Sequence, residues 1–193
     1  MTERERPMDD RSLYKEMLFT ESQVNSRISE MAAAIIKQYT PQDTLFVNLP
    51  NGAWPFTAKL MSEIQVQNSH FHPNVQSMIV SRYGQNREPG QLSLVTDLPY
   101  GYRDLNSYVV ILLDDLIDEG DTLRYARQHL LDYGARRVDS IVLVKKLKDP
   151  AVEGGIAMFG FEAPDVWLTG MGMDDPRLGR DANRWAGYIA IAN

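Results

Sequence analysis

Residues 108–123 read YVVILLDDLIDEGDTL, and the rest of the chain can be organised around them. The run 108–113 is short, aliphatic and β-branched, the pattern of a strand buried on both faces in a parallel sheet. Two adjacent acids follow, Asp114 and Asp115, then Asp118, Gly120 and Thr122. Gly120 can supply a tight turn, and Asp121 or Thr122 is placed to cap a helix running to about residue 133. A helix that starts just beyond the carboxyl end of a buried strand aims free N–H groups into the crevice there, which favours an anion. The turn reads as a phosphate cradle.

Working outward, residues 44–49 read as a second core strand, broken by Pro50, Asn51 and Gly52 before a helix to about residue 65. That places a second strand-to-helix turn at the same edge of the sheet. Earlier still, Thr20 with Gln23 forms a capping box, and Val24, Ile28, Met31 and Ile35 at helical spacing predict an amphipathic helix to about residue 38. Residues 75–82 read as a strand, 83–90 (YGQNREPG) as a polar loop, 91–96 as extended and 138–144 as a further strand. Strands alternating with helices predict an α/β fold, a mainly parallel twisted sheet with right-handed crossovers. Beyond residue 148, Gly154, Gly155, Gly160 and Gly170 break up short extended pieces at 166–169 and 188–192. This stretch predicts a small hood over the crevice. The expected organisation is one domain over 1–193, with a core at about 20–148 and a hood from 1–19 and 149–193.

A formal charge of −6 argues against a general nucleic-acid binder, and the absence of cysteine excludes disulfides, thiolate nucleophiles and zinc–thiolate sites. No apolar run has the length of a membrane span, and the opening MTERERPMDDR lacks the apolar centre of a signal peptide, so a soluble cytoplasmic protein is expected. His70 and His72 alternate as two metal ligands on a strand face could, but no third ligand accompanies them. Trp54 and Trp185 read as mostly structural, and His129 as an ordinary helix residue.

Two acids, two aliphatics, an acid, a variable residue, Gly, a variable residue and Thr: over 109–123 this pattern resembles the phosphoribosyl-pyrophosphate (PRPP) loop of type I phosphoribosyltransferases. Downstream, VLVKK at 142–146, GFEAPDVWLTGMGMDD at 160–175, and Gly179, Arg180 and Asp181 resemble the hypoxanthine-guanine branch of that family, bacterial type. The opening EMLFTESQVNSRI is similar to the N-terminal part of bacterial members, so the likeness covers about 15–192. It implies the type I phosphoribosyltransferase fold and a purine-salvage activity. In that reaction a ring nitrogen of hypoxanthine or guanine attacks the anomeric carbon of PRPP through an oxocarbenium-like transition state, with Mg²⁺ bound and pyrophosphate leaving, to give IMP or GMP. It also implies a homodimer or homotetramer acting on small molecules only, with neither nucleic acid nor membrane as partner.

Carried over position by position, the resemblance gives Asp114 and Asp115 the ribose hydroxyls and, with Asp174, the metal. Asp118 becomes the general base. The backbone N–H groups of Glu119, Gly120, Asp121 and Thr122, with the Thr122 hydroxyl, hold the 5′-phosphate. Asn51, Gly52 and Arg180 serve pyrophosphate. Lys145 donates to the purine 6-oxo group, Trp167 stacks on the base and the Leu168 backbone meets its edge, while Ser81 and Tyr83 belong to a mobile catalytic loop. Lys145 favours an oxo purine over adenine and leaves hypoxanthine, guanine and xanthine open.

Three departures stand out. Glu119 replaces the usual Thr in an unusually acidic cradle, and Glu119 and Asp121 are expected to face solvent. The turn after the first strand carries Pro50 and Asn51 and lacks the family's lysine. The segment QNREPG replaces a Ser/Thr-rich loop centre. These features define the alternative, a non-catalytic PRPP- or nucleotide-sensing protein of the same fold.

Overall fold

The computed structural model describes residues 14–81, 92–147, 155–175, 177–179 and 181–193. Tyr83 with the whole of the expected polar loop, Gly154 and Arg180 lie outside the described residues. The centre is a five-stranded parallel sheet ordered β3-β2-β6-β7-β8. Its strands are β2 (Thr44–Asn48), β3 (Asn74–Ser77), β6 (Val109–Ile117), β7 (Arg137–Lys146) and β8 (Ile156–Ala163).

The apolar residues of β6 divide by alternation. Ile111 and Leu113 enter the core shared with α1 (Glu21–Gln38) and α2 (Ala53–Gln67), whereas Val110 and Leu112 enter the core shared with α3 (Asp121–Asp132). The continuous apolar run therefore means helices on both faces. Truncating such a side chain, as in Leu113→Ala, costs about 2–5 kcal/mol in comparable cores. At the start of α1 the predicted capping box is present: the Thr20 hydroxyl accepts from the Gln23 N–H, and the Gln23 side chain accepts from the Thr20 N–H at 2.9 Å.

The strand expected over 75–82 is divided. β3 stays in the main sheet, and after the buried Met78 the chain leaves it as β4 (Ile79–Ser81), pairing antiparallel with β5 (Ser93–Thr96). The parting comes where β2 runs out: the Met78 N–H bonds to the carbonyl of Asn48, the last residue of β2.

The hood begins later than its predicted boundary at 149. β8 joins the core sheet parallel to β7, and Gly160 inside it marks close packing, since a Cβ there would lie 2.6 Å from the Leu143 carbonyl oxygen. The hood itself is a three-stranded sheet of β1 (Glu16–Phe19), β10 (Ile189–Ile191) and β9 (Leu168–Thr169), with β10 in the middle. Leu168, Met171, Met173 and Ile189 join it to the core shared with α1 and α2. Trp54 and Trp185 do not fill a core; they are 41% and 71% exposed. Among the described residues, no helix is long and apolar enough to cross a membrane.

Candidate active site

The carboxyl ends of β2, β6 and β7 and the hood segment after β9 enclose a cavity of about 360 Å³. Asp114, Asp115, Asp118, Asp174, Trp167 and Leu168 line it, together with Lys146 and Arg184, the cations of this wall among the described residues. A second cavity of about 240 Å³ opens beside it, walled by Asp114 and the turn 116–123. Thr122 reaches both.

Asp114 and Asp115 sit inside β6, which continues to Ile117, so two carboxylates are held by a buried ladder. Burial pushes the Asp114 carboxyl well above the ordinary carboxylate range, and the neighbouring Asp115 charge adds to the rise. Burial also raises Asp115, partly offset by its hydrogen bond with Asp114 and by the Arg184 charge. Two acids that resist ionising together form a site for groups that relieve the strain, namely a cation or a pair of hydroxyl donors.

The phosphate cradle takes shape around Gly120, which has φ 74 and forms the N-cap of α3. Gly120 as N-cap has no side chain to cap the helix, so neither Asp121 nor Thr122 takes that expected role, and the start of α3 borders the second cavity. Asp121 pairs with Arg124 one turn on, and Arg124 also donates to the Glu119 carbonyl at 3.0 Å. The acidity of the cradle is thus tempered from within the helix, while Glu119 is exposed.

Strand alternation decides between the two lysines at the end of β7. Lys146 Nζ lines the cavity, 3.1 Å from Asp118 Oδ2 and 3.3 Å from Asp165 Oδ1. Lys145 points the other way, over the Phe159 ring beside Arg27, and the structure does not bring it to the site. Of the two, the structure places Lys146 and not the expected Lys145 at the cavity. Trp167 is 61% exposed at the cavity and donates its indole N–H to the Asp174 carbonyl at 3.1 Å; Leu168 is buried beside it.

At the other turn Leu49, Pro50 and Gly52 line the cavity, and Asn51 stands exposed next to them. The Pro50–Asn51 peptide is cis. A Cβ on Gly52 would overlap the Asp115 carboxylate, and one on Gly172 would come within 2.7 Å of the Asp115 Cβ. Both glycines are required by close approach. Val80 of β4 reaches the cavity wall, whereas Ser81 pairs with Ser93 at the strand end.

Arg184 was not legible as a site residue. Its guanidinium donates to the Gly172 carbonyl, lies 3.1 Å from Asp174 Oδ2 and bonds Asp181 at 2.9 Å, tying the loop 170–175 to the cavity. The stretch around it is polar and aperiodic, so only its contacts reveal it. Asp165 lies inside the quoted stretch 160–175, and only its distance to Lys146 sets it apart there. Asp175 is buried and its carboxyl is lowered by the hydrogen bonds from Arg177, a pairing that serves the turn and not the cavity.

A phosphoribosyl transferase domain profile matches residues 16–176, which includes the cavity's acid pair, cradle, Lys146 and Trp167. The chain belongs to the phosphoribosyltransferase domain family. Among similar members, the hypoxanthine-guanine phosphoribosyltransferase of Aquifex aeolicus is 29% identical over 167 residues, covering 86% of this chain and 89% of that one. The Dictyostelium discoideum protein of that name is 26% identical over 162 residues, 83% and 87% of the two chains. The solved hypoxanthine phosphoribosyltransferase of Staphylococcus aureus superposes with a TM-score of 0.81 at 22% identity, over 97% of each chain. These likenesses confirm the phosphoribosyltransferase fold, with its central parallel sheet flanked by helices.

Proposed function

We propose that the protein is a purine-salvage phosphoribosyltransferase that converts hypoxanthine or guanine and PRPP to IMP or GMP and pyrophosphate. The observation that carries this reading is the meeting of Asp118, Lys146 and Trp167 with the acid pair and the start of α3 around adjoining cavities. A transition state with oxocarbenium character requires positioning and electrostatics more than a nucleophile, and this wall of carboxylates and backbone donors suits it.

In this reading the 5′-phosphate lies against the N–H groups at the start of α3, and the acid pair receives the ribose hydroxyls. Trp167 packs on the base, and Lys146 donates to its ring carbonyl oxygen. As the ring nitrogen bonds to the anomeric carbon and the bond to pyrophosphate breaks, Asp118 takes the proton released by the base. Arg184 offers positive charge on the side of Gly52 and Gly172. Mg²⁺ binds through one or two carboxylates and keeps water and phosphate ligands, and the cavity-lining carboxylates that would offer those ligands are Asp174 and the acid pair. When bound, the ion would neutralise charge on the departing pyrophosphate. A cytoplasmic setting and a homodimer or homotetramer belong to the same proposal, the latter tested by light scattering.

The test is turnover with Mg²⁺, PRPP and each of hypoxanthine, guanine, xanthine and adenine, following nucleotide and pyrophosphate together. Formation of IMP or GMP is expected. PRPP binding without product from any base would instead assign a sensor.

A further inference from the structure

Lys146 is held by two carboxylates from separate parts of the chain. Its Nζ lies 3.1 Å from Asp118, on the turn after β6, and 3.3 Å from Asp165, on the segment after β8, and its side chain is only 9% exposed. Asp165 is delivered by backbone geometry. The ladder pairs Lys146 with Ala163, the Leu147 N–H bonds to the Ala163 carbonyl at 2.8 Å, and a turn closed by the Val166 N–H on the Pro164 carbonyl follows directly.

An ammonium carries three N–H donors and no acceptor. One is donated to Asp118, and Asp165 stands at ion-pair distance from the same Nζ, so the two carboxylates together constrain where the remaining N–H groups point. Resting on the purine reading above, we infer that Asp165 is a positioning and specificity-determining residue, which with Asp118 orients the third Lys146 N–H so that the cavity accepts a base bearing a ring carbonyl oxygen and rejects one bearing an amino group there. A carbonyl oxygen meets the fixed donor as an acceptor; an amino group meets it donor to donor. Removing Asp165 leaves Asp118 as the remaining carboxylate anchor. The ammonium then turns toward Asp118, and the third donor loses its direction.

The experiment is calorimetric binding of IMP, AMP and pyrophosphate to the wild type and to Asp165→Ala, Asp165→Asn and Asp165→Glu, with melting temperatures alongside. Losing one oriented charge-assisted hydrogen bond predicts IMP affinity about tenfold weaker in Asp165→Ala, with AMP and pyrophosphate within about twofold of wild type. Asp165→Asn, which keeps the shape but loses the charge, is expected between the two, and Asp165→Glu to recover most of the preference for IMP. An IMP-to-AMP ratio unchanged in both Asp165→Ala and Asp165→Asn overturns the inference. Equal losses for all three ligands overturn it as well, since they mark a structural role. A wild type that binds pyrophosphate but neither nucleotide overturns the purine reading itself, and the inference with it.

Discussion

The two strand-to-helix turns at the carboxyl edge of the sheet both depend on glycine, for different reasons. Gly120, after β6, has φ 74, a conformation that side chains with a Cβ adopt at a cost, and as N-cap it puts no side chain over the start of α3. Gly52, after β2, has φ −59 and ψ −46, open to any residue, yet a Cβ there would overlap the Asp115 carboxylate. In the proposed reading the first turn binds through its own backbone. The second serves by standing close to the acids of the first. On that reading the difference teaches that chemistry is concentrated in the β6 turn while the β2 turn sets its shape, and this division can be broken at five positions.

The largest effect is expected at Asp118, within the β6 turn. Asp118→Asn should lower kcat by about 10²–10⁴, the usual worth of a positioned base, with PRPP affinity by calorimetry nearly unchanged. Next comes Gly52→Ala, which should weaken PRPP binding by more than tenfold and lower stability by about 1–3 kcal/mol as an overpacked contact. Gly120→Ala, by contrast, should cost about 1 kcal/mol for its left-handed backbone. Equal effects of the two alanines on PRPP binding would erase the distinction.

Asp114 tests the electrostatics of the β6 turn. A carboxyl raised in the folded state favours the protonated form, so its contribution is fully present below the ordinary value of 3.8 and is lost as pH rises through the folded value. Asp114→Asn should therefore raise stability at neutral pH by on the order of 1 kcal/mol and flatten its dependence above that value, read by denaturant unfolding at several pH values. A variant less stable than wild type at neutral pH would show that the ionised pair is not under strain. The smallest effect belongs to Glu119→Thr, an exposed position, where PRPP affinity should change by less than about threefold. A large gain would place the Glu119 carboxylate against the bound phosphate.

Much of this arrangement was legible beforehand because it depends on local patterns. The apolar run before Asp114 has the pattern of a strand buried in a parallel sheet, and Gly120 announced its turn by position. Where the reading went astray, long-range packing was the cause. Gly160 resembled a hood glycine but stands in β8 because the Leu143 carbonyl approaches it, and the exposed Trp54 and Trp185 show that aromatic content alone does not locate a core. His129 likewise proved more than an ordinary helix residue: it bonds Asp97 at 2.9 Å, and Tyr133 reaches the same carboxylate.

From its sequence alone the protein determined the alternation of strands and helices, the acid pair, the cradle and the family resemblance, because strand period, helix capping and glycine turns act over a few residues. Tertiary structure alone decided which lysine faces the cavity, that Arg184 lines it and Asp165 meets that lysine, and why Gly52 and Gly172 have no side chain. Those outcomes depend on strand register and on atoms distant in the chain approaching to within a few ångströms, and a one-residue change of register carries a side chain to the opposite face of the sheet.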